Sequence, residues 1–236
     1  MNILLTNDDG YFSPGIKLIY KCLQKYGNVV IVAPNVQNSA KSVSKTLGKP
    51  LKVEKIENNI FSCSGTPADC VAFGLNSLSI KFDLVVSGCN DGWNISYDTL
   101  YSGTVGAALE ALINHVPSIA ISSDRDLPIV EQYFDMMWEY INKYQLISDE
   151  YLLNINFPKE DVKDIKLGEL YVRHDEHFFI NENDGYYAYR NCEDKFTDKN
   201  SDVYQVTHQI ISIVPLAKTC FNYDIYYKLK SKIKQK

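Results

Sequence analysis

Up to about residue 165 the chain alternates short, wholly apolar runs with stretches that are apolar on one side only. Asn2-Ile3-Leu4-Leu5 and Val29-Val30-Ile31-Val32-Ala33 are continuous and rich in branched residues, the pattern of strands buried on both faces. Between them Ser13-Pro14 reads as a helix N-cap and first position. Ile16, Ile19, Leu23 and Tyr26 then form a stripe at helical spacing, and Gly27 ends it. Thr66-Pro67-Ala68-Asp69 opens a second helix, with a Thr cap and an acid in the first turn; Val71, Leu75 and Leu78 continue it. Phe82-Asp83-Leu84-Val85-Val86-Ser87, Ser118-Ile119-Ala120-Ile121-Ser122 and Leu152-Leu153-Asn154-Ile155-Asn156-Phe157 read as further strands. Helices are expected over about 103–115 and 129–145.

Strand–helix alternation of this kind predicts an α/β fold: a Rossmann-like, mostly parallel sheet flanked by helices. Beyond residue 165 the rhythm changes. The segments 167–173, 185–189 and 210–215 look like hairpin strands, followed by a short terminal helix. The expected organisation is a catalytic core over 1–165 and a strand-rich arm with a C-terminal helix over 166–236, together one functional unit.

Composition narrows the function. In 236 residues, hydrophobic residues at 45% and charged residues at 22% describe an ordinary globular chain, and a formal net charge of −5 argues against a nucleic-acid polymer as partner. The basic run Lys228–Lys234 reads as a solvated helix end. No apolar stretch approaches the roughly 18–20 residues of a membrane span. The N-terminus has neither a basic leader nor a cleavage site, and six scattered cysteines lack a paired spacing. Reduced thiols and a cytoplasmic location are therefore expected.

The candidate chemistry sits where the predicted parallel strands end. Asp8 and Asp9 stand side by side after the first strand, and burying both in a sheet crevice demands a cation. A solvent-facing Asp-Gly turn is the alternative reading. The loop after the second strand carries Asn35, Gln37, Asn38 and Ser39; the loop after the third carries Asn90, Asp91 and Asn94. Two acids with hydroxyl and amide oxygens suit Mg²⁺, Mn²⁺ or Ca²⁺ better than zinc. Tyr101-Ser102-Gly103-Thr104-Val105-Gly106 opens the next helix with small residues, either as an anion site at the helix N-terminus or simply for tight packing. A metal beside such a helix end suggests phosphate-ester hydrolysis, with the metal lowering the pKa of an attacking water and the amides stabilising the developing charge.

Several of these stretches, in order, resemble the SurE family of survival-protein nucleotidases. They are Asn7-Asp8-Asp9-Gly10 with Pro14-Gly15-Ile16, Ala33-Pro34 with Ser39, and Gly65-Thr66-Pro67-Ala68-Asp69-Cys70-Val71. Val86-Ser87-Gly88-Cys89-Asn90-Asp91-Gly92-Trp93-Asn94 and Leu100-Tyr101-Ser102-Gly103-Thr104-Val105-Gly106 complete the set. The likeness is dense over about 1–125 and thinner at Leu153–Pro158, Ser201-Asp202 and Ser212–Leu216. It implies a metal-dependent phosphatase of nucleoside 5′- and 3′-monophosphates, in some members also of short polyphosphate. It implies metal ligands at Asp8, Asp9, Ser39 and Asn90, one Mg²⁺ or Mn²⁺ per subunit, and phosphate contacts at Ser102, Gly103 and Thr104, with Asn94 among the substrate-side residues. It also implies a homodimer or homotetramer formed by exchange of the C-terminal arm. Asp8 and Asp9 are then the candidate catalytic acids, and whether one of them is also a general base is left open. Unlike the family, the 35–40 loop here holds no arginine, which removes cations that would steer an anionic substrate; Lys41 is a partial substitute.

Two other readings stand beside this one: a broader phosphatase or exopolyphosphatase of the same chemistry, and a non-enzymatic nucleotide- or metal-binding module. A dinucleotide fingerprint and a Walker loop are both missing, and adjacent acids followed by Gly10 do not fit an aspartyl-phosphate enzyme. The His174–His177 pair reads as a polar loop, and His115 and His208 as packed core or interface residues. Tyr133, Phe134, Trp138, Tyr140 and Tyr144 read as core or interface, and Trp93 as the aromatic nearest a substrate.

Overall fold

The computed structural model describes residues 1–171, 175–182, 184–192, 197–219 and 223–233. β1 (Asn2–Thr6), α1 (Pro14–Leu23) and β2 (Asn28–Pro34) are followed by the small hairpin β3 (Val53–Glu57) and β4 (Ile60–Cys63). Next come α2 (Pro67–Ser77), β5 (Leu84–Asp91), the one-turn α3 (Asp98–Tyr101), α4 (Gly103–Ile113), β6 (Ser118–Ser123), α5 (Leu127–Lys143) and β7 (Tyr151–Phe157). The chain ends with β8 (Asp164–Leu167), the pair β9 (Asp175–Glu182) and β10 (Gly185–Cys192), α6 (Asp202–Thr207), β11 (Ile210–Ala217) and α7 (Tyr223–Ile233).

Nine strands form one sheet in the order β3-β4-β2-β1-β5-β6-β7-β11-β8. From β4 to β7 every neighbouring pair is parallel, while β3 and β11 run antiparallel to β4 and β7. Period-2 alternation places Ile3, Leu5, Val29 and Ile31 under α1 and α5, where Ile16, Ile19, Phe134 and Trp138 complete a core. Leu4, Val30, Val32 and Val85 face the other way, onto Cys70 and Val71 of α2 and Ala107 and Ala111 of α4. The mostly parallel, helix-flanked α/β sheet expected from the alternation is therefore present. The caps are where the residues put them: Ser13 Oγ accepts from Ile16 N, and Thr66 with Asp69 forms a reciprocal capping box.

Several local expectations need correction. Residues 210–215 are strand, as expected, but β11 is an interior strand of the main sheet between β7 and β8 rather than a partner of the hairpin. The strand expected at 167–173 is shifted: β8 ends at Leu167, and Gly168, whose amide still donates to Ile213 O, packs where a Cβ would lie 2.6 Å from Gln205 Oε1. Val172, Arg173 and His174 lie outside the described residues. Within the chain His115 and His208 are exposed rather than part of the core, His208 stacking on the Tyr204 ring at 3.7 Å. Cys22, Cys63, Cys70 and Cys89 are buried free thiols. Among the described residues no helix is long and apolar enough to cross a membrane.

Candidate functional site

The chain leaves β1 toward β2 on one side of the sheet and later enters β5 on β1's other side. This reversal opens a crevice beyond the carboxyl ends of β1 and β5, the place where open α/β sheets bind ligands. A cavity of ≈ 350 Å³ lies there, and its walls include Asp8, Asp9, Ser39, Asn90, Asn94 and Ser102. Six of the eight residues singled out from the sequence thus line one pocket; Gly103 and Thr104 stand directly behind Asp8.

Each wall is held by a specific device. Asn7 is the brace of the first loop. Its side chain donates to Gly10 O and to Ser13 Oγ and accepts from Gly10 N, which turns Asp8 and Asp9 into the crevice. Between β5 and β6 the register shifts after Ser87, and this irregularity re-aims Asn90. Asn90 Nδ2 donates to Gly92 O at 2.8 Å, so its Oδ1 is the atom left for a ligand. The Asn38 amide donates to Asp8 O at 2.6 Å and brings Ser39 alongside.

Asp8 is 4% exposed and abuts the start of α4. Thr104 Oγ1 donates to its Oδ1 at 2.5 Å, and Gly103 leaves the room it needs: a Cβ there would lie 2.9 Å from Asp8 Cβ. Burial pushes the Asp8 carboxyl up to about 6; the Thr104 hydroxyl opposes that rise and the charge of Asp9 adds to it. Burial also raises Asp9, against the hydrogen bonds of the Asp91 amide and Gln37. Among the described residues neither acid has an ion-pair partner. Adjacent carboxylates held in this way are a site that favours a cation. Among the described residues no three His, Cys, Asp or Glu side chains group as a metal site, so neutral oxygens from Ser39 and Asn90 would complete the donor set. Oxygen-only donors fit a hard divalent ion.

The helix end does two jobs. Ser102 caps α4 by accepting from Val105 N and also lines the cavity, while the hydroxyl of Thr104 is turned onto Asp8. The Gly103 amide, at the first position of α4, has no acceptor within its helix. Asn94 is tied behind the wall: its Nδ2 donates to Ser122 Oγ, its N donates to Asn156 Oδ1, and its O accepts from both Asn154 and Asn156. This network explains the two asparagines inside the apolar strand β7.

Sequence reasoning missed three contributors. Asp91, of the oxygen-rich third loop, lines the cavity as its position suggests; Asp98 adds a further acid, and Arg125, after β6, is the cation on its wall. Lys41 does not line it. Asp202 at the start of α6 is fully buried and accepts from Ser96 N, Tyr171 N and Val203 N, pinning the loop after Asn94 from 106 residues away. Ser201-Asp202 was visible as a motif, but its target was not. Trp93 turns away from the cavity; its Nε1 donates to Phe157 O, and its ring packs against a cluster of Ile95, Val203 and Val206.

The family model described as "Survival protein SurE" matches residues 3–177. The chain belongs to the SurE family. It is 38% identical over 233 residues to the 5′-nucleotidase SurE of Clostridium botulinum (strain Alaska E43 / Type E3), covering 92% of this chain and 93% of that protein. It is 44% identical over 174 residues to the 5′/3′-nucleotidase SurE of Wigglesworthia glossinidia brevipalpis, covering 70% and 68% respectively. The crystal structure of the SurE protein from Aquifex aeolicus superposes with a TM-score of 0.85 at 33% identity, over 98% of this chain and 99% of that one. The SurE match thus extends through the whole sheet, β8 and β11 included.

Proposed function

We propose that this SurE-family chain is a metal-dependent phosphohydrolase that removes phosphate from nucleoside 5′- and 3′-monophosphates. The observation that carries the reading is the buried Asp8–Asp9 pair at the switch point of the sheet, facing Ser39 and Asn90 and backed by the start of α4. A relative aligned over 92% of the chain carries the name 5′-nucleotidase, and one aligned over 70% of it the name 5′/3′-nucleotidase. Asp8, Asp9, Ser39 and Asn90 would hold one Mg²⁺ or Mn²⁺ per subunit, which when bound polarises a phosphoryl oxygen and acidifies water. Thr104 keeps Asp8 aimed, and Ser102 with the Gly103 amide receives the phosphoryl oxygens that the ion does not. The reduced buried thiols suit the cytoplasm.

The test is phosphate release from a panel of nucleotides, sugar phosphates and polyphosphate, before and after EDTA treatment and with Mn²⁺ or Mg²⁺ restored. Nucleoside monophosphates should be the best substrates, and chelation should abolish turnover reversibly. Full activity in metal-free protein would overturn the metal assignment. A preference for polyphosphate would move the substrate class while keeping the chemistry.

For assembly, the reading is a homodimer or homotetramer built through the segment after 165. Among the described residues β9 and β10 pair only with each other, and the pair carries Phe179 at 67% and Tyr186 at 73% exposure. Replacing residues 175–192 by a short glycine linker, which spares β8 and β11, is expected to turn the assembly into monomers by light scattering. An unaltered chain that is monomeric at micromolar concentration would refute the assembly.

A further inference from the structure

A cavity of ≈ 430 Å³ opens where the β7–β8 connection meets the end of α6, and it shares no wall residue with the acidic crevice. Its size falls within the roughly 300–1,000 Å³ of small-molecule pockets. Two residues that the crevice does not use meet in it. Trp93 supplies a fixed ring, its Nε1 donating to Phe157 O at 2.7 Å and its indole resting on Ile95, Val203 and Val206. His208 is held as firmly: it stacks on Tyr204 at 3.7 Å and its Nδ1 is bonded to Tyr204 O at 2.8 Å, which leaves Nε2 for a ligand. Lys159 and Lys163 add two ammonium groups to the wall. Among the described residues Lys163 has no ion-pair partner, and Lys159 meets Asp124 at 3.8 Å, near the limit of such a contact. Asp161, which feels the Lys163 charge, is bonded instead to Tyr133 and the Val162 amide. Glu160, the acid on the cavity wall, is engaged by Gln209 Nε2 at 3.2 Å.

We propose that this cavity is a binding site for a small organic anion that carries a flat ring, with Lys159 and Lys163 taking the anionic end and Trp93 and Val206 the ring. The inference is independent of the phosphohydrolase reading. In a chain of net charge −5, a recess with two ammonium groups and one occupied acid is where an anion gains most. Like charges on one wall repel each other, and an anion between them relieves that repulsion. Charge alone would suit any anion; the fixed indole beside it selects one with a ring, because Trp93 loses little freedom when a flat group settles on it. The same arrangement gives Trp93 a use that the acidic crevice does not.

The probe is 2-naphthoate, followed by calorimetry and by tryptophan fluorescence. The chain has two tryptophans, and the other, Trp138, is 2% exposed in the core, so a change on binding reports Trp93. Saturable binding with a fluorescence change is expected. Lys159→Gln and Lys163→Gln should each weaken it roughly three- to tenfold, the scale of one partly exposed charge contact. Both side chains are exposed, so melting temperatures should not move. 2-Naphthylmethanol keeps the ring without the charge and acetate the charge without the ring; each should bind at least about tenfold more weakly than 2-naphthoate. Absence of binding by the unaltered chain at millimolar probe would overturn the site. Unchanged affinity in both lysine variants, equal binding of 2-naphthylmethanol, or binding that leaves the fluorescence unaltered would do the same.

Discussion

Asp8→Asn and Asp9→Asn are each expected to reduce phosphate release by more than about a hundredfold, beyond the roughly 10–100-fold that loss of a partner outside the ligand sphere costs a metal site. Each substitution keeps the shape and removes a charge, so the loss reads the cation rather than the packing. Asp8 is the more telling position. It is almost fully buried, and the carboxylate is uphill there without a counter-charge, which is why burial lifts its pKa to about 6. An asparagine in its place still accepts from Thr104 Oγ1, so the fold should survive and circular dichroism should be unchanged. Mn²⁺ titration by calorimetry should show the affinity falling together with the rate. Ser39→Ala should do less, because a water replaces a neutral ligand on an exposed loop. A Ser39→Ala defect larger than that of Asp9→Asn would instead point to serine as a nucleophile.

The elements that were legible from the residues are those whose burial is two-sided. Ile3–Leu5, Val29–Ala33 and Ser118–Ser122 are apolar or small throughout because helices cover both faces, and no other local structure suits such runs between two helix caps. β3 was not visible, since Val53-Glu54-Lys55-Ile56-Glu57 is an exposed edge strand whose charges protect it from further pairing. β11 was visible as a strand but not as an interior one. Hydrophobic periodicity reports burial, and the partner of a strand is decided by contacts 50 and more residues away, here β7 by antiparallel register from Ser212–Asn156 to Ala217–Tyr151.

The same division runs through the site. Asp8, Asp9, Ser39 and Asn90 lie at strand ends, and sheet topology alone gathers strand ends at a switch point. Arg125 lies in the turn after β6 and Asp98 at the start of the one-turn α3; both are aimed by local backbone conformation, and no spacing rule reaches them. The small residues of α4 carried two readings, an anion site and tight packing, and the packing one is visible in the fold. Gly103 and Gly106 are packing positions, and Ser102 is the residue that meets the cavity.

Gly106→Ala is accordingly expected to cost about 1–3 kcal/mol of stability, a fall of about 2–4 °C in Tm for each kcal/mol in a chain of this size. In an exposed helix the same change would stabilise by roughly 0.5–1 kcal/mol, so even the sign tests the packing. A Cβ on residue 106 would lie 2.1 Å from Ser42 O and 2.4 Å from Ser42 C. Both are backbone atoms, and no rotamer change relieves them. Ser42 cannot retreat cheaply either, since its amide donates to Tyr101 O at 2.9 Å and its hydroxyl to Leu100 O at 2.8 Å. Lys45 ties the same loop to the buried Glu110 at 2.7 Å. The loop that must yield is the one that carries Ser39, so thermal melting and Mn²⁺ affinity should fall together. Gly74→Ala is the comparison: its Cβ meets the end of the Leu4 side chain at 2.7 Å, which has freedom to turn, and its loss should be smaller and leave Mn²⁺ binding intact. Equal melting temperatures and equal Mn²⁺ affinity for Gly106→Ala and the unaltered chain would mean that the Ser39 loop does not rest on α4, and that the site is assembled from the strand ends alone.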